Sequence, residues 1–275
     1  MRGLVVLRAS SFCSILVYAA LAICGMACVG TTGGELVAFP AAAAGPADAD
    51  PTQTFQFLTS RGWHVVLTKA VLHIGALYLD QSLPVSGSQG TNCILPGTYV
   101  AEVTSGLDVD LLSPSPQPFP LPGQGTTIPA ALAGQIWLTG GDVNTIADAT
   151  PILVIAGTAD QGSGTPMSFE ATITIGSNRQ STDSQVAGAS AICKQRIVSV
   201  PTDLSVKSTG GLLLRIDPRD LFANVDFGQL QMLPDGTYAF SDEPSSPDYN
   251  QPSRNLFRNL ESAGTLYAFS WSESL

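Results

Sequence analysis

Histidine is almost missing from this chain. There are two, His64 and His73, so no more than two imidazoles are on hand for proton transfer or metal ligation. Charge is scarce as well, at 12% of residues, and basic side chains are the rarer kind, with 12 Lys and Arg against 22 Asp and Glu. Removing Arg2 and Arg8, which lie in the N-terminal leader, leaves a formal charge of −12 on the rest. That balance disfavours nucleic acid and anionic lipid surfaces as partners. No Gly-x-Ser-x-Gly elbow, Walker loop or Rossmann glycine fingerprint occurs, and no Cys-x-x-Cys pair. Long helix-forming runs are few.

What is abundant points the other way. Twenty-seven glycines, nineteen prolines and 44% hydrophobic residues predict many short strands joined by turns around a sizeable core. The fold class expected is all-β, an antiparallel β-sandwich with two short helices. Three segments are expected: a signal peptide over 1–28, a flexible Gly-, Ala- and Pro-rich tether over 29–52, and one β-sandwich domain over 53–275.

The leader has a basic end and a short apolar core, Ile15 to Cys24, too short for a convincing membrane span. Gly25-Met26-Ala27-Cys28 resembles a bacterial lipobox, which makes Cys28 the lipidation site and the anchor the only membrane contact. It departs from that motif in having Gly three positions before the cysteine, where Leu is usual. Ordinary signal-peptidase cleavage without a lipid is the other reading. Cys93 and Cys193 are the only thiols beyond the leader, and in an oxidising compartment they are expected to form a disulfide. A two-thiol metal or redox site is the alternative.

The most strongly patterned stretch runs from Arg61 to Asp80. Trp63, Val65 and Leu67 alternate with His64, Val66 and Thr68, a half-buried strand, and Lys69 then falls on the apolar side. An unbroken strand to Leu79 would be unusually long, so a bulge or bend is expected near Thr68–Ala70. Further strands are predicted at 53–58, 99–103, 135–139, 151–156, 168–175, 196–200, 212–216 and 265–272. Asp217-Pro218 reads as a helix start over 218–225, and Ser253 as the cap of a helix over 253–263. Leu95-Pro-Gly-Thr-Tyr99, nearly repeated at Leu233-Pro-Asp-Gly-Thr-Tyr238, resembles a turn-and-strand signature of extracellular β-sandwich domains.

Chemistry has few candidates. Nine positions apart on one extended strand, His64 and His73 would lie on opposite faces and roughly 30 Å apart. A bend between them, with Met167 or Met232 added, would make a soft copper site. Asp48 with Asp50, and Asp108 with Asp110, are alternating carboxylates that fit a solvated linker and a protected strand edge better than a calcium loop.

The segments Ala70-Val-Leu-His-Ile-Gly-Ala-Leu-Tyr-Leu79, Pro96-Gly-Thr-Tyr99 and Leu212-Leu-Leu-Arg-Ile-Asp-Pro-Arg-Asp-Leu-Phe222 resemble, in their order, periplasmic copper-binding lipoproteins of the methanobactin-associated type. The chain from Cys28 onward, with Gly-Thr-Thr-Gly-Gly-Glu-Leu36 and Gly62-Trp-His-Val-Val-Leu-Thr-Lys-Ala70, is similar to a group of uncharacterised envelope lipoproteins of myxobacterial type. No cofactor is expected from the residues themselves; copper is the one the first resemblance adds, and it carries no ligand residue over. The second resemblance lends no function, and the leader and lipobox place the protein in the bacterial envelope, whether outer-membrane, periplasmic or extracellular. The expected function is an exported, lipid-anchored binding or accessory module, not an enzyme, whose partner is an envelope protein or a small ligand. Copper capture is the first alternative and an envelope hydrolase the second.

Overall fold

A computed structural model describes residues 34–82, 98–139, 150–162, 164–175, 196–242 and 250–275. Cys28, Cys93 and Cys193 lie outside these residues, as does the leader. The described chain is built of strands, as the composition predicts. Six of them, β1 (Leu36–Phe39), β5 (Ala76–Asp80), β6 (Tyr99–Val103), β9 (Gly123–Thr126), β10 (Ala131–Trp137) and β13 (Arg196–Leu204), form one sheet in the order β1-β9-β6-β5-β10-β13.

A second sheet joins β15 (Gln231–Met232), β16 (Tyr238–Ala239), β12 (Met167–Thr174), β11 (Pro151–Asp160), β4 (His64–Ile74) and β3 (Phe55–Leu58) in that order. Its seventh strand, β7 (Leu107–Asp110), also pairs with β4. The third sheet runs β17 (Tyr267–Ser272), β14 (Gly211–Ile216), β2 (Ala41–Ala44), β8 (Gln117–Pro118). Pairing is antiparallel except between β14 and β2 and between β12 and β16.

The expected irregularity in β4 is a bulge. Lys69 faces Ala156 and Leu67 faces Gly157 on β11, so Thr68 is the extra residue. Gly157 answers it: a Cβ there would stand 2.2 Å from the Val66 carbonyl oxygen, so only glycine lets the two backbones approach. Before the bulge Val65 and Leu67 point into the core, and after it Ala70, Leu72 and Ile74 do. Lys69, expected on the apolar side, is turned out to solvent by the same change of phase.

The helices are shorter or shifted. The segment 218–225 forms a 3-10 helix over Pro218–Phe222, capped by Asp217, whose carboxylate accepts from the Arg219 amide. The single α-helix among the described residues, α1 (Gln251–Leu260), starts two residues before the expected position. Asn250 rather than Ser253 caps it, accepting from the Ser253 amide. Ser253 is buried instead, its hydroxyl accepting from the Ser241 amide. No helix among the described residues is long and apolar enough to cross a membrane.

The tether expected over 29–52 is corrected by the structure. Leu36 to Ala44 form β1 and β2, and Ala41 to Ala44 are all buried. Small side chains let β2 pass between β14 and β8, and Arg215 fastens its exit by donating to the carbonyls of Gly45 and Pro114. The β body therefore begins well before residue 53. Its main core draws on all three sheets, with Leu72, Leu77, Ile136, Ile155, Leu214 and Phe222 among its fully buried side chains.

Candidate functional site

β4 carries both histidines, and the bulge decides where they point. By shifting the phase of alternation it puts His64 and His73 on the same, outward face, not on opposite faces as a straight strand would. Each meets a carboxylate directly across the ladder. Asp160 of β11 faces His64 with Oδ2 3.4 Å from Nδ1, and Asp108 of β7 faces His73 with Oδ1 2.6 Å from Nδ1. The two imidazoles still stand at opposite ends of the strand, roughly 25–30 Å apart.

They cannot share an ion. Met167 is packed against the core on the inner face of β12, and Met232 lies on β15, three strands removed from β4. Among the described residues no three His, Cys, Asp or Glu side chains gather to hold a metal. The expected copper set of His64 and His73 with a methionine does not fit this structure.

Of the other acidic candidates, Asp108 pairs with His73. Asp110 caps a local turn, accepting from the Leu112 amide. Asp48 is bound by Arg219, which also grips Asp217 and lies 5.9 Å from the Phe55 ring. The hydrogen bond from Arg219 holds the Asp48 carboxyl below its ordinary value, and Asp217 and Asp48 together push the guanidinium up. This clamp ties residues 46–50 to the 3-10 helix. Asp50 accepts from the Thr52 amide and hydroxyl.

A different constellation lies on the outer face of the six-stranded sheet. Leu77 and Leu79 of β5 point into the main core, so Ala76, Tyr78 and Asp80 point away from it. Opposite them on β10 stand Trp137, Gln135 and Ala133, and Arg196 of β13 faces Trp137 on its other side. A bulge at Val100 turns Tyr99 of β6 to the same face, opposite Asp80. The Tyr78 ring lies 5.0 Å from Tyr99 and 6.2 Å from Trp137, and the Arg196 guanidinium lies 5.3 Å from the Trp137 ring. Gln135 Nε2 donates to Asp80 Oδ2 at 2.5 Å.

Asp80, Gln135, Trp137 and Arg196 are each more than nine-tenths buried, although none belongs to the main core. Burial pushes the Asp80 carboxyl up, against the opposing pull of Gln135 and Arg196. It also pushes the Arg196 guanidinium down and the Tyr78 phenol up. Among the described residues, the buried polar atoms Asp80 Oδ1, Gln135 Oε1 and Trp137 Nε1 have no hydrogen-bond partner. Each such atom costs on the order of 1–3 kcal/mol, and native folds leave few of them.

Sequence reasoning missed this cluster. The available signal was a polar residue inside an apolar run, Gln135 between Gly134 and Ile136, and Asp80 closing Ala-Leu-Tyr-Leu.

No protein-family model matches the chain, and no curated protein matches it. Among solved structures, MbnP from Methylosinus trichosporium is similar over 86% of this chain and 98% of its own, at 11% sequence identity and a TM-score of 0.30. At that level the likeness assigns neither ligand nor mechanism.

Proposed function

We propose that this chain is an exported binding module of the bacterial cell envelope, anchored through a lipid on Cys28 and cross-linked by Cys93 and Cys193. Its ligand face is the outer face of the six-stranded sheet. The observation that carries the reading is the convergence of three unpartnered, buried polar atoms with three aromatic rings outside the main core. A fold that only needed packing there would fill the face with apolar side chains. Small-ligand sites combine apolar walls with a few convergent polar groups, and this face has both.

The leader pattern and low basic content support the envelope location and a ligand other than nucleic acid. Neither histidine belongs to the proposed site.

Two measurements test the proposal. Trp137 reports on the face, so its fluorescence should change saturably when the exported protein meets its ligand in fractionated envelope extract, and Trp137→Phe should abolish that response. A response that survives the substitution places the ligand elsewhere. Dialysis against copper followed by metal analysis tests the rival: stoichiometric copper lost on His64→Ala or His73→Ala would replace this reading with metal capture. Metabolic labelling with an alkynyl fatty acid, lost on Cys28→Ser, checks the anchor.

A further inference from the structure

The unpartnered atoms differ in kind, and the difference selects a ligand chemistry. Asp80 Oδ1 and Gln135 Oε1 are acceptors and need donors. Trp137 Nε1 is a donor and needs an acceptor. A metal ion satisfies only the first two. An ammonium ligand would meet Arg196 in the same cluster, and a phosphate or sulfate would meet Asp80. A hydroxyl donates and accepts at once, and a ring bearing several of them suits all three atoms without adding charge. The C–H faces of such a ring stack on aromatic side chains, which Tyr78, Tyr99 and Trp137 supply.

We infer that the outer face of the six-stranded sheet binds a neutral saccharide. In this arrangement Asp80, Gln135 and Trp137 bond its hydroxyls, and the two tyrosines pack its ring. The inference rests on reading this face as the binding face. Tyr99, 46% exposed, is the most exposed of these side chains. Asp80 and Ala76 mark the ends of the cluster on β5, four positions or about 13 Å apart, a span that suits a mono- or disaccharide.

The test is calorimetric titration of the full exported protein with cellobiose, maltose, lactose and N,N′-diacetylchitobiose. At least one should bind saturably. Trp137→Phe keeps a ring and removes the N–H, and should weaken that binding about tenfold, the worth of one hydrogen bond. Tyr99→Ala, at an exposed position that does not threaten folding, should weaken it at least about tenfold. His64→Ala, on the other large sheet, should leave it within about twofold.

Absence of binding by all four sugars, or binding indifferent to both Trp137→Phe and Tyr99→Ala, overturns the inference. Tetramethylammonium and sulfate, titrated in parallel, separate its failure from that of the wider proposal. If one of them binds and depends on Tyr99 and Trp137, the saccharide is wrong and the binding face stands. If neither sugars nor ions bind, both readings fall.

Discussion

The outer faces of the two large sheets are built from the same strand geometry and hold opposite populations. On the seven-stranded sheet, β4, β7 and β11 present His64, His73, Asp108 and Asp160 to water, and Asp108 is 72% exposed. On the six-stranded sheet, β5, β10 and β13 present Asp80, Gln135, Trp137 and Arg196, all buried. A carboxylate paired across a ladder in water gains little, because the solvent screens the pair and solvates either partner alone. A carboxylate held away from water depends on each group that remains near it. Charged pairs are thus easiest to notice where they matter least to the fold.

The sharpest way to break the contrast is to deny β4 and β11 their close approach at the bulge. Gly157→Val would put a Cβ 2.2 Å from the Val66 carbonyl oxygen and force the two strands apart there. Loss of a cooperative thermal transition is expected, and a variant that melts like the parent would refute the role given to the bulge. Next in size is Gln135→Leu, which strips the buried Asp80 of its amide donor. It should cost about 3 kcal/mol in urea denaturation at neutral pH.

Asp80→Asn probes the same spot through pH. Burial raises the Asp80 pKa above its ordinary 3.8, so the folded chain holds this proton more tightly than the unfolded one. Its contribution is favourable in acid and is withdrawn as pH rises through and above that value. The variant should therefore gain stability relative to the parent from about pH 4 upward, until the folded-state carboxyl is fully ionised. A constant difference over that window would show that Asp80 is not desolvated. The smallest effects belong to the exposed face: Asp108→Ala and Asp160→Ala should each change stability by less than about 1 kcal/mol.

Much of the architecture was readable in advance. Alternation located β4, β11, β12, β14 and β17, and the excess length of the 61–80 run placed the bulge where it lies. The shared outward face of His64 and His73 is not legible in the sequence, because a one-residue insertion inverts facing without altering composition. Ala41 to Ala44 misled for a related reason. A run of small residues signals flexibility when nothing covers it and tight insertion when two strands flank it, and only the partners tell these apart. The aromatic and polar cluster was hidden because it needs four strands brought into register, and register between distant strands is not written in local periodicity.

The parallel pairing of β2 with β14 also has a meaning for how the chain comes to rest. Leu212 lies opposite Ala41, so a strand made early in synthesis stands without one of its two neighbours until some 170 residues have followed it. Closing so distant a contact is slow, and the third sheet cannot be completed while synthesis is under way at its middle. With β17 drawn from Tyr267–Ser272 as its other edge, the third sheet waits longest of the three for its strands.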